Sequence, residues 1–211
     1  MAGIGSIHIL TDKKARVLTA LKASLRAYES VISASDAKKV GNLIDGEVFE
    51  TVYNACADEL SQDIAIYLSD DYVSICYEDI EFQDLEKNAV GFCEAFEKPV
   101  LYTLILDDDV IVVGVCRNGK TVTKLVLGEF CDEYDLAEEK INMDELAHIF
   151  NAHNLSDLNE CGDVSDVCYA LNEDYGIDAE LSPLSLPLYS DEYKLLEKNK
   201  TFSVYSSLIS K

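Results

Sequence analysis

The sequence predicts an α+β fold, in which an antiparallel sheet of about five strands carries helices from both ends of the chain. Three observations lead to this class. Five short segments read as strands, and the first two of them alternate as strands with one buried face do. Short polar connections separate neighbouring segments, as in hairpins. Helical periodicity surrounds the segments without strict strand-helix alternation, giving the order β-β-α-β-β-β followed by helices.

The N-terminal region combines a short apolar run with an amphipathic helix. Residues 7–10 are apolar enough to form a strand, and Thr11 or Asp12 then provides a helix N-cap. The helix is predicted by apolar residues spaced three and four apart, which place them on one face. They are Leu18, Leu21, Leu25, Tyr28 and Ile32. A second helix is predicted over residues 48–60.

The first hairpin unit is predicted at residues 64–68 and 72–77. Both segments alternate, and Ser69-Asp70-Asp71 connects them. A helix over residues 82–96 follows, since its apolar residues recur at helical spacing and Pro99 cannot continue a helix.

The second hairpin unit contains three strands, at residues 100–106, 110–116 and 121–127. Asp107-Asp108-Asp109 connects the first two. Asn118-Gly119 connects the last two, and this dipeptide tolerates the positive φ angles of a type I′ turn. The run at residues 110–113 is apolar on both sides, which predicts a strand in the sheet centre with helices over both faces, or partly so.

The C-terminal third is predicted to be largely helical. Asn142 and Asp163 are predicted N-caps, and Gly176 is placed to end the second of these helices. The tail is predicted to contain a short helix near residues 191–198 and a strand at residues 201–205. We expect a single domain over residues 1–211, with a C-terminal helical appendage at residues 141–211 as the alternative.

The net charge of −23 is the strongest global signal. It disfavours nucleic-acid backbones and anionic membranes as partners and favours a basic protein. The charge is uneven, because residues 1–45 carry seven basic and four acidic side chains, a net of +3, and the remainder carries −26. The basic helix is expected to pack either on its own acidic body or on another copy of the chain.

Composition predicts a cytoplasmic protein with reduced thiols. The seven cysteines are odd in number, and none has C-x-x-C spacing, which does not suggest a disulfide framework or a zinc site. No apolar run approaches the roughly 20 residues that cross a bilayer, and no N-terminal signal is evident.

Motifs for catalysis or cofactor binding are weak, so the sequence predicts no cofactor. Glu145 and His148 form a single Glu-x-x-His, whereas a di-metal site uses two. His148 and His153 are five apart and do not share a helix face. The acidic turn at residues 107–109 could hold Mg²⁺ or Ca²⁺ through hard oxygens, but it lacks the spacing of a calcium loop.

These observations favour a non-enzymatic acidic module that binds a basic partner. At the level of general type, the chain resembles small acidic α+β proteins that bind and neutralise other proteins, such as the immunity proteins of bacterial toxin systems. The alternative is a carboxylate- or metal-dependent enzyme, and the oligomeric state stays open. The expected partner-binding residues lie in the two acidic turns: Asp70, Asp71, Asp107, Asp108 and Asp109.

Overall fold

The computed structural model describes residues 2–29, 64–150, 155–186, 193–198 and 202–207. In this part of the chain, eight strands form one sheet in the order β6-β5-β4-β1-β3-β2-β8-β7. The strands are β1 (Ala2–Leu10), β2 (Ile64–Leu68), β3 (Tyr72–Glu81), β4 (Val100–Leu106), β5 (Val110–Arg117), β6 (Lys120–Gly128), β7 (Tyr193–Lys198) and β8 (Phe202–Ser207). The α-helices are α1 (Lys14–Glu29), α2 (Phe82–Phe96), α3 (Met143–Phe150) and α4 (Val164–Tyr175).

The expectation of a five-stranded antiparallel sheet is wrong. All five strands of the two hairpin units are present, but β1 joins the units by pairing antiparallel with both β3 and β4. At the far side, β8 pairs parallel with β2, so the sheet is mixed and has eight strands. The missed pairings join segments far apart in the sequence, and no local pattern reports them. The α+β class itself is compatible with the structure.

The helix expected near residues 191–198 is also wrong, because residues 193–198 form β7. Most residues of this segment have a high helix propensity, and this propensity led to the wrong prediction. The segment instead forms an antiparallel hairpin with β8, and the Tyr193 ring packs edge-on against Tyr67 at a centroid distance of 5.1 Å. Tertiary pairing therefore overrides propensity. The helix predicted over residues 48–60 lies outside the described residues.

Each face of the sheet has its own core. Along β1, Ile7 and Ile9 belong to a core shared with α1 and α2. On the opposite face, His8 packs edge-on against Tyr72, which belongs to the core shared with α3 and α4. The strand β5 lies second from the sheet edge rather than at its centre. Both of its faces are nevertheless covered, as its continuous apolar run predicts, and residues 110–113 are all fully buried.

The basic N-terminal helix packs on its own chain. Its buried face includes Val17, Leu21 and Leu25. Lys14 Nζ donates to the Ser69 carbonyl at 2.6 Å, and Lys22 forms an ion pair with Glu197 on β7. Part of the basic flank is therefore neutralised within the molecule.

Turns and caps follow local sequence chemistry. Asn118 and Gly119 have φ angles of 54° and 69°, as a type I′ turn requires. Asp163 caps α4, because its Oδ1 accepts a hydrogen bond from the Asp166 amide at 2.9 Å. Gly176 ends the same helix with a φ of 64°.

The described cysteines are free thiols. Five of the six are buried, and Cys161 is half-buried; Cys56 lies outside the described residues. Burial raises the pKa of Cys116 and of Cys168 to about 12, which keeps both protonated and unreactive near neutral pH. Among the described helices, none is long and apolar enough to cross a membrane.

Gly128 closes the end of the β5–β6 ladder at a site with no room for a side chain. A Cβ there would lie 2.2 Å from the Asp109 carbonyl oxygen and 2.8 Å from Val110 Cα. We expect Gly128→Ala to lower the free energy of unfolding by about 3 kcal/mol or more, because backbone atoms must move. Urea denaturation followed by circular dichroism measures this change.

Gly176→Ala is the matched control for this substitution. Gly176 also has a positive φ, but a Cβ added to it would meet no atom within 4 Å. Only the backbone cost of roughly 1–2 kcal/mol applies there. Equal losses in the two variants would contradict the close approach at Gly128.

Candidate functional site

The two acidic turns lie at opposite ends of the sheet. Leu10 at the end of β1 pairs with Tyr72, beside Asp70 and Asp71, whereas Ile4 pairs with Ile105, near the turn at residues 107–109. Six residues of β1 separate these positions, which is about 20 Å at roughly 3.3 Å per residue. The structure therefore divides the expected partner-binding residues into two separate surfaces.

The turn at Asp70 and Asp71 lies beside the start of α1 and its Lys14. Asp70 is exposed and has the Lys14 ammonium 4.0 Å away, while the Asp71 carbonyl accepts from the Thr11 amide at 2.9 Å. Lys98 pairs with Asp12 at 3.4 Å at the same end of β1. This end of the sheet is thus mixed in charge and is tied to the start of α1.

The turn at Asp107, Asp108 and Asp109 presents three exposed carboxylates. Asp107 and Asp108 have φ angles of 50° and 62°, a conformation that aspartate tolerates better than most residues. The Asp109 amide donates to the Leu106 carbonyl at 2.9 Å and closes the turn. Tyr134 donates its hydroxyl to Asp107 Oδ2 at 2.9 Å, and this bond raises the pKa of Tyr134 to about 12.

A groove of about 430 Å³ opens beside this turn. The end of β6, the segment after it and the first residues of α4 form its remaining walls. We call it the acidic groove, because its lining contains five carboxylates and no lysine, arginine or histidine. The carboxylates are Asp108, Asp109, Glu129, Glu138 and Asp163.

Local hydrogen bonds hold the α4 wall of the acidic groove in place. Asp163 and Asp166 form a reciprocal cap, in which the Gly162 amide donates to Asp166 Oδ2 at 3.0 Å. The groove carboxylates also lie near the positive end of the α4 dipole, which favours negative charge there. The α4 wall of the acidic groove is therefore held by local hydrogen bonds.

Sequence reasoning identified only Asp108 and Asp109 of the groove carboxylates. Glu129 directly follows Gly128, which pairs with Val110 in the β5–β6 ladder. The Val126–Glu139 bridge holds Glu138 beside this end, and the folding of α4 over it adds Asp163. Phe130, which follows Glu129, was also missed. It is an exposed large apolar residue, 39% accessible, that directly follows a groove residue in the sequence.

In the structure, Glu145 and His148 are not arranged as metal ligands. Glu145 forms a two-point ion pair with Arg117, with oxygen-to-Nη2 distances of 3.0 and 3.3 Å, and His148 is exposed. His153 lies outside the described residues. Across the part of the chain that the structure describes, no group of three or more His, Cys, Asp or Glu is arranged to hold a metal ion.

A row of buried polar side chains crosses the middle of the sheet. His8 Nδ1 lies 2.8 Å from Ser74 Oγ, and His8 Nε2 lies 3.1 Å from Ser6 Oγ. Ser6 in turn contacts Thr103 Oγ1 at 2.9 Å. All four side chains are fully buried. The row therefore links β3, β1 and β4 by internal hydrogen bonds and is not a reactive surface.

Burial lowers the pKa of His8 from 6.5 to about 3, because the protein interior disfavours the imidazolium. The unfolded chain therefore binds one more proton than the folded chain between these pH values. Stability from this group is fully present above pH 6.5 and is lost as the pH falls toward 3. The loss is at most about 5 kcal/mol, at 1.36 kcal/mol per pKa unit.

We expect His8→Asn to flatten the acid limb of the stability profile. The free energy of unfolding, measured by urea denaturation from pH 7 to pH 4, should fall less in the variant than in wild type. Comparison of the two profiles cancels the contribution of the many carboxylates, which are common to both. Parallel profiles would show that His8 is not the group that titrates.

Comparisons with protein-family models, with curated proteins and with solved structures find no match to this chain. Among the described residues, the acidic groove is the surface from which we argue a function.

Proposed function

We propose that the chain is a non-enzymatic binding module that recognises a basic segment of a partner protein in the acidic groove. This is the mode of action expected of immunity or inhibitor proteins. The observation that carries the proposal is the concentration of five carboxylates around one concave surface without a basic residue in its lining.

Electrostatics supports this choice of partner. A cleft lined by one sign of charge focuses the field and raises the local concentration of oppositely charged ligands. The whole chain carries −23, so the long-range field adds to the local one and steers a basic partner toward the surface. Arginine and lysine side chains would exchange water for direct contacts with carboxylates along both walls of the groove.

The opposite end of the sheet is the weaker candidate. There, Lys14 and Lys98 lie within 4.0 Å of carboxylates and offset their charge. A basic partner would have to displace these intramolecular contacts before it gained its own. The proposal therefore assigns binding to the turn at residues 107–109 and not to Asp70 and Asp71.

An exposed aromatic residue beside the groove favours a protein partner over a small cation. Phe130 lies in the turn that follows the end of β6, directly after the groove residue Glu129. Exposed aromatic residues next to charged surfaces are common anchors in protein interfaces, where they supply most of the buried apolar contact. In this proposal Phe130 supplies that contact.

Removing two groove charges should weaken binding of a basic peptide. An octa-arginine peptide serves as the probe, measured by isothermal titration calorimetry at low salt. We expect Asp108→Asn/Asp109→Asn to lower its affinity roughly tenfold, since each lost charged contact is worth about 0.7 kcal/mol in a partly exposed site. Asparagine is compatible with the positive φ at Asp108, so the turn should be retained.

Asp70→Asn/Asp71→Asn is the matched control. It removes the same two charges from a turn of similar composition at the other end of the sheet. We expect the affinity to change by less than about twofold, through net charge alone. Equal losses in both variants would mean that the peptide senses total charge and not the groove, which would sink the proposal.

Phe130→Ala tests the apolar anchor with a natural partner. Proteins captured from cells of the native organism by wild type should be captured several-fold less by this variant and by the groove variant, consistent with loss of at least about 1 kcal/mol at an anchor. Leu184→Ala is the control, since it removes a more exposed apolar side chain, 64% accessible, that does not neighbour a groove residue in the sequence. Capture that is indifferent to Phe130 and to the groove carboxylates would contradict the assigned surface.

A further inference from the structure

A side-chain hydrogen bond links the acidic turn at residues 107–109 to the segment that follows β6. Tyr134 donates its hydroxyl to Asp107 Oδ2 at 2.9 Å, across 27 positions of the sequence. The pKa of Tyr134 is about 12, so the hydroxyl stays protonated and able to donate near neutral pH. The bond is therefore present under the conditions in which the groove would bind a partner.

Tyr134 is held by a short, locally bonded segment. It ends a 3₁₀-helix at Cys131–Tyr134, and the Leu136 amide donates to the Cys131 carbonyl at 2.9 Å. The Cys131 thiol donates to the Gly128 carbonyl at 3.4 Å, which ties the start of this helix to the end of β6. The tyrosine hydroxyl thus reaches the acidic turn from a supported position.

Tyr134 packs on the face of the sheet opposite to the acidic groove. Tyr134 and Leu136 lie against the core that carries α1 and α2. The groove is lined by Leu127, which packs on the other core, and by the first residues of α4. The hydroxyl therefore approaches the turn from behind the groove, and it bonds Asp107, which does not line the groove.

The bond joins two parts of the groove wall whose charges repel each other. Asp108 and Asp109 belong to the acidic turn. Glu129 and Glu138 lie on either side of Tyr134 in the segment after β6. Repulsion between like charges in one cleft favours movement of these two parts away from each other. A hydrogen bond to a carboxylate, made across the two parts, opposes that movement.

We propose that Tyr134 is a positioning residue of the acidic groove. By bonding Asp107 from behind, it keeps Asp108 and Asp109 in the groove lining before a partner arrives. The inference rests on the proposed function, because it assigns Tyr134 a role in the same binding surface. Groups that are fixed before binding lose less conformational freedom when the partner binds, which increases affinity.

Tyr134→Phe tests the proposal with the octa-arginine peptide, by isothermal titration calorimetry at low salt. The variant removes the hydroxyl and keeps the ring that packs against the core. It leaves the net charge unchanged, so a loss of affinity cannot come from total charge. We expect the affinity to fall about three- to fivefold, since a hydrogen bond to a partly exposed carboxylate is of modest strength.

Tyr175→Phe is the matched control for this substitution. It removes the hydroxyl of a tyrosine on α4, which donates to the Ser156 carbonyl at 3.1 Å. Neither of these two residues lines the groove. We expect this variant to bind the peptide as wild type does. An equal loss of affinity in Tyr175→Phe and Tyr134→Phe would indicate general loosening of the fold and would overturn the positioning role.

Asp107→Gly separates the hydrogen bond from other effects of the tyrosine. Glycine adopts the φ of 50° at this position without strain, and the substitution removes the acceptor. If Tyr134 acts through Asp107, Tyr134→Phe should cause no further loss of affinity in the Asp107→Gly background. The same loss in both backgrounds would show that the hydroxyl acts elsewhere, and the proposal would then be wrong.

Hydrogen exchange of the Asp109 amide, followed by NMR, reports on the turn without any peptide. This amide donates to the Leu106 carbonyl at 2.9 Å, and that bond closes the turn. We expect it to exchange at least about threefold faster in Tyr134→Phe, because the turn opens more often without the bond from behind. Amides in the middle of β4 provide the internal reference. Unchanged exchange at Asp109 would contradict the proposal.

Failure of this inference and failure of the groove proposal are distinguishable. Wild-type affinity in Asp108→Asn/Asp109→Asn would reject the groove, and the exchange of the Asp109 amide would still decide whether Tyr134 holds the turn. Weaker binding by that variant, together with unchanged binding and exchange in Tyr134→Phe, would reject the positioning role alone.

Discussion

The position of β1 is the constraint on which the rest of the structure depends. It pairs with β3 on one side and β4 on the other, so the two hairpin units become one sheet only through this strand. Its alternating side chains also connect the two cores, since Ile7 and Ile9 pack on the face that carries α1 and α2, while His8 contacts Tyr72 on the other. This pairing also places the two acidic turns at opposite ends of the sheet.

Local elements of the fold were predictable, and long-range pairings were not. Hairpins, the α2 and α4 helices and the type I′ turn follow from alternation, caps and turn residues within a few positions. The place of β1 and the parallel β2–β8 pair depend on segments distant in sequence. The strand β7 shows the limit most clearly, because its own residues favour a helix and only β8 makes it extended.

The residues of the candidate site also fall into those that the local sequence predicts and those that only the fold brings together. Asp108 and Asp109 could be predicted, because an acidic hairpin turn is exposed by its own geometry. Glu138 and Asp163 could not, since the bridge of Glu139 to Val126 brings Glu138 to that turn and the packing of α4 against β5 brings Asp163. A sequence pattern shows that the charges exist. Only the fold shows that the groove lining holds no lysine, while Asp70 in the other turn lies 4.0 Å from Lys14.

The parallel pairing of β2 with β8 has a consequence for biosynthesis. Ile64 is paired with Phe202, so a ribosome must add many residues after β2 before its neighbour exists. During that interval the outer edge of β2, a largely apolar strand, is unpaired in the β2–β3 hairpin. Exposed apolar strand edges favour misassembly. The acidity of the intervening chain would keep nascent copies apart by mutual repulsion. The same charge that shapes the groove would thus protect the protein while it is being made.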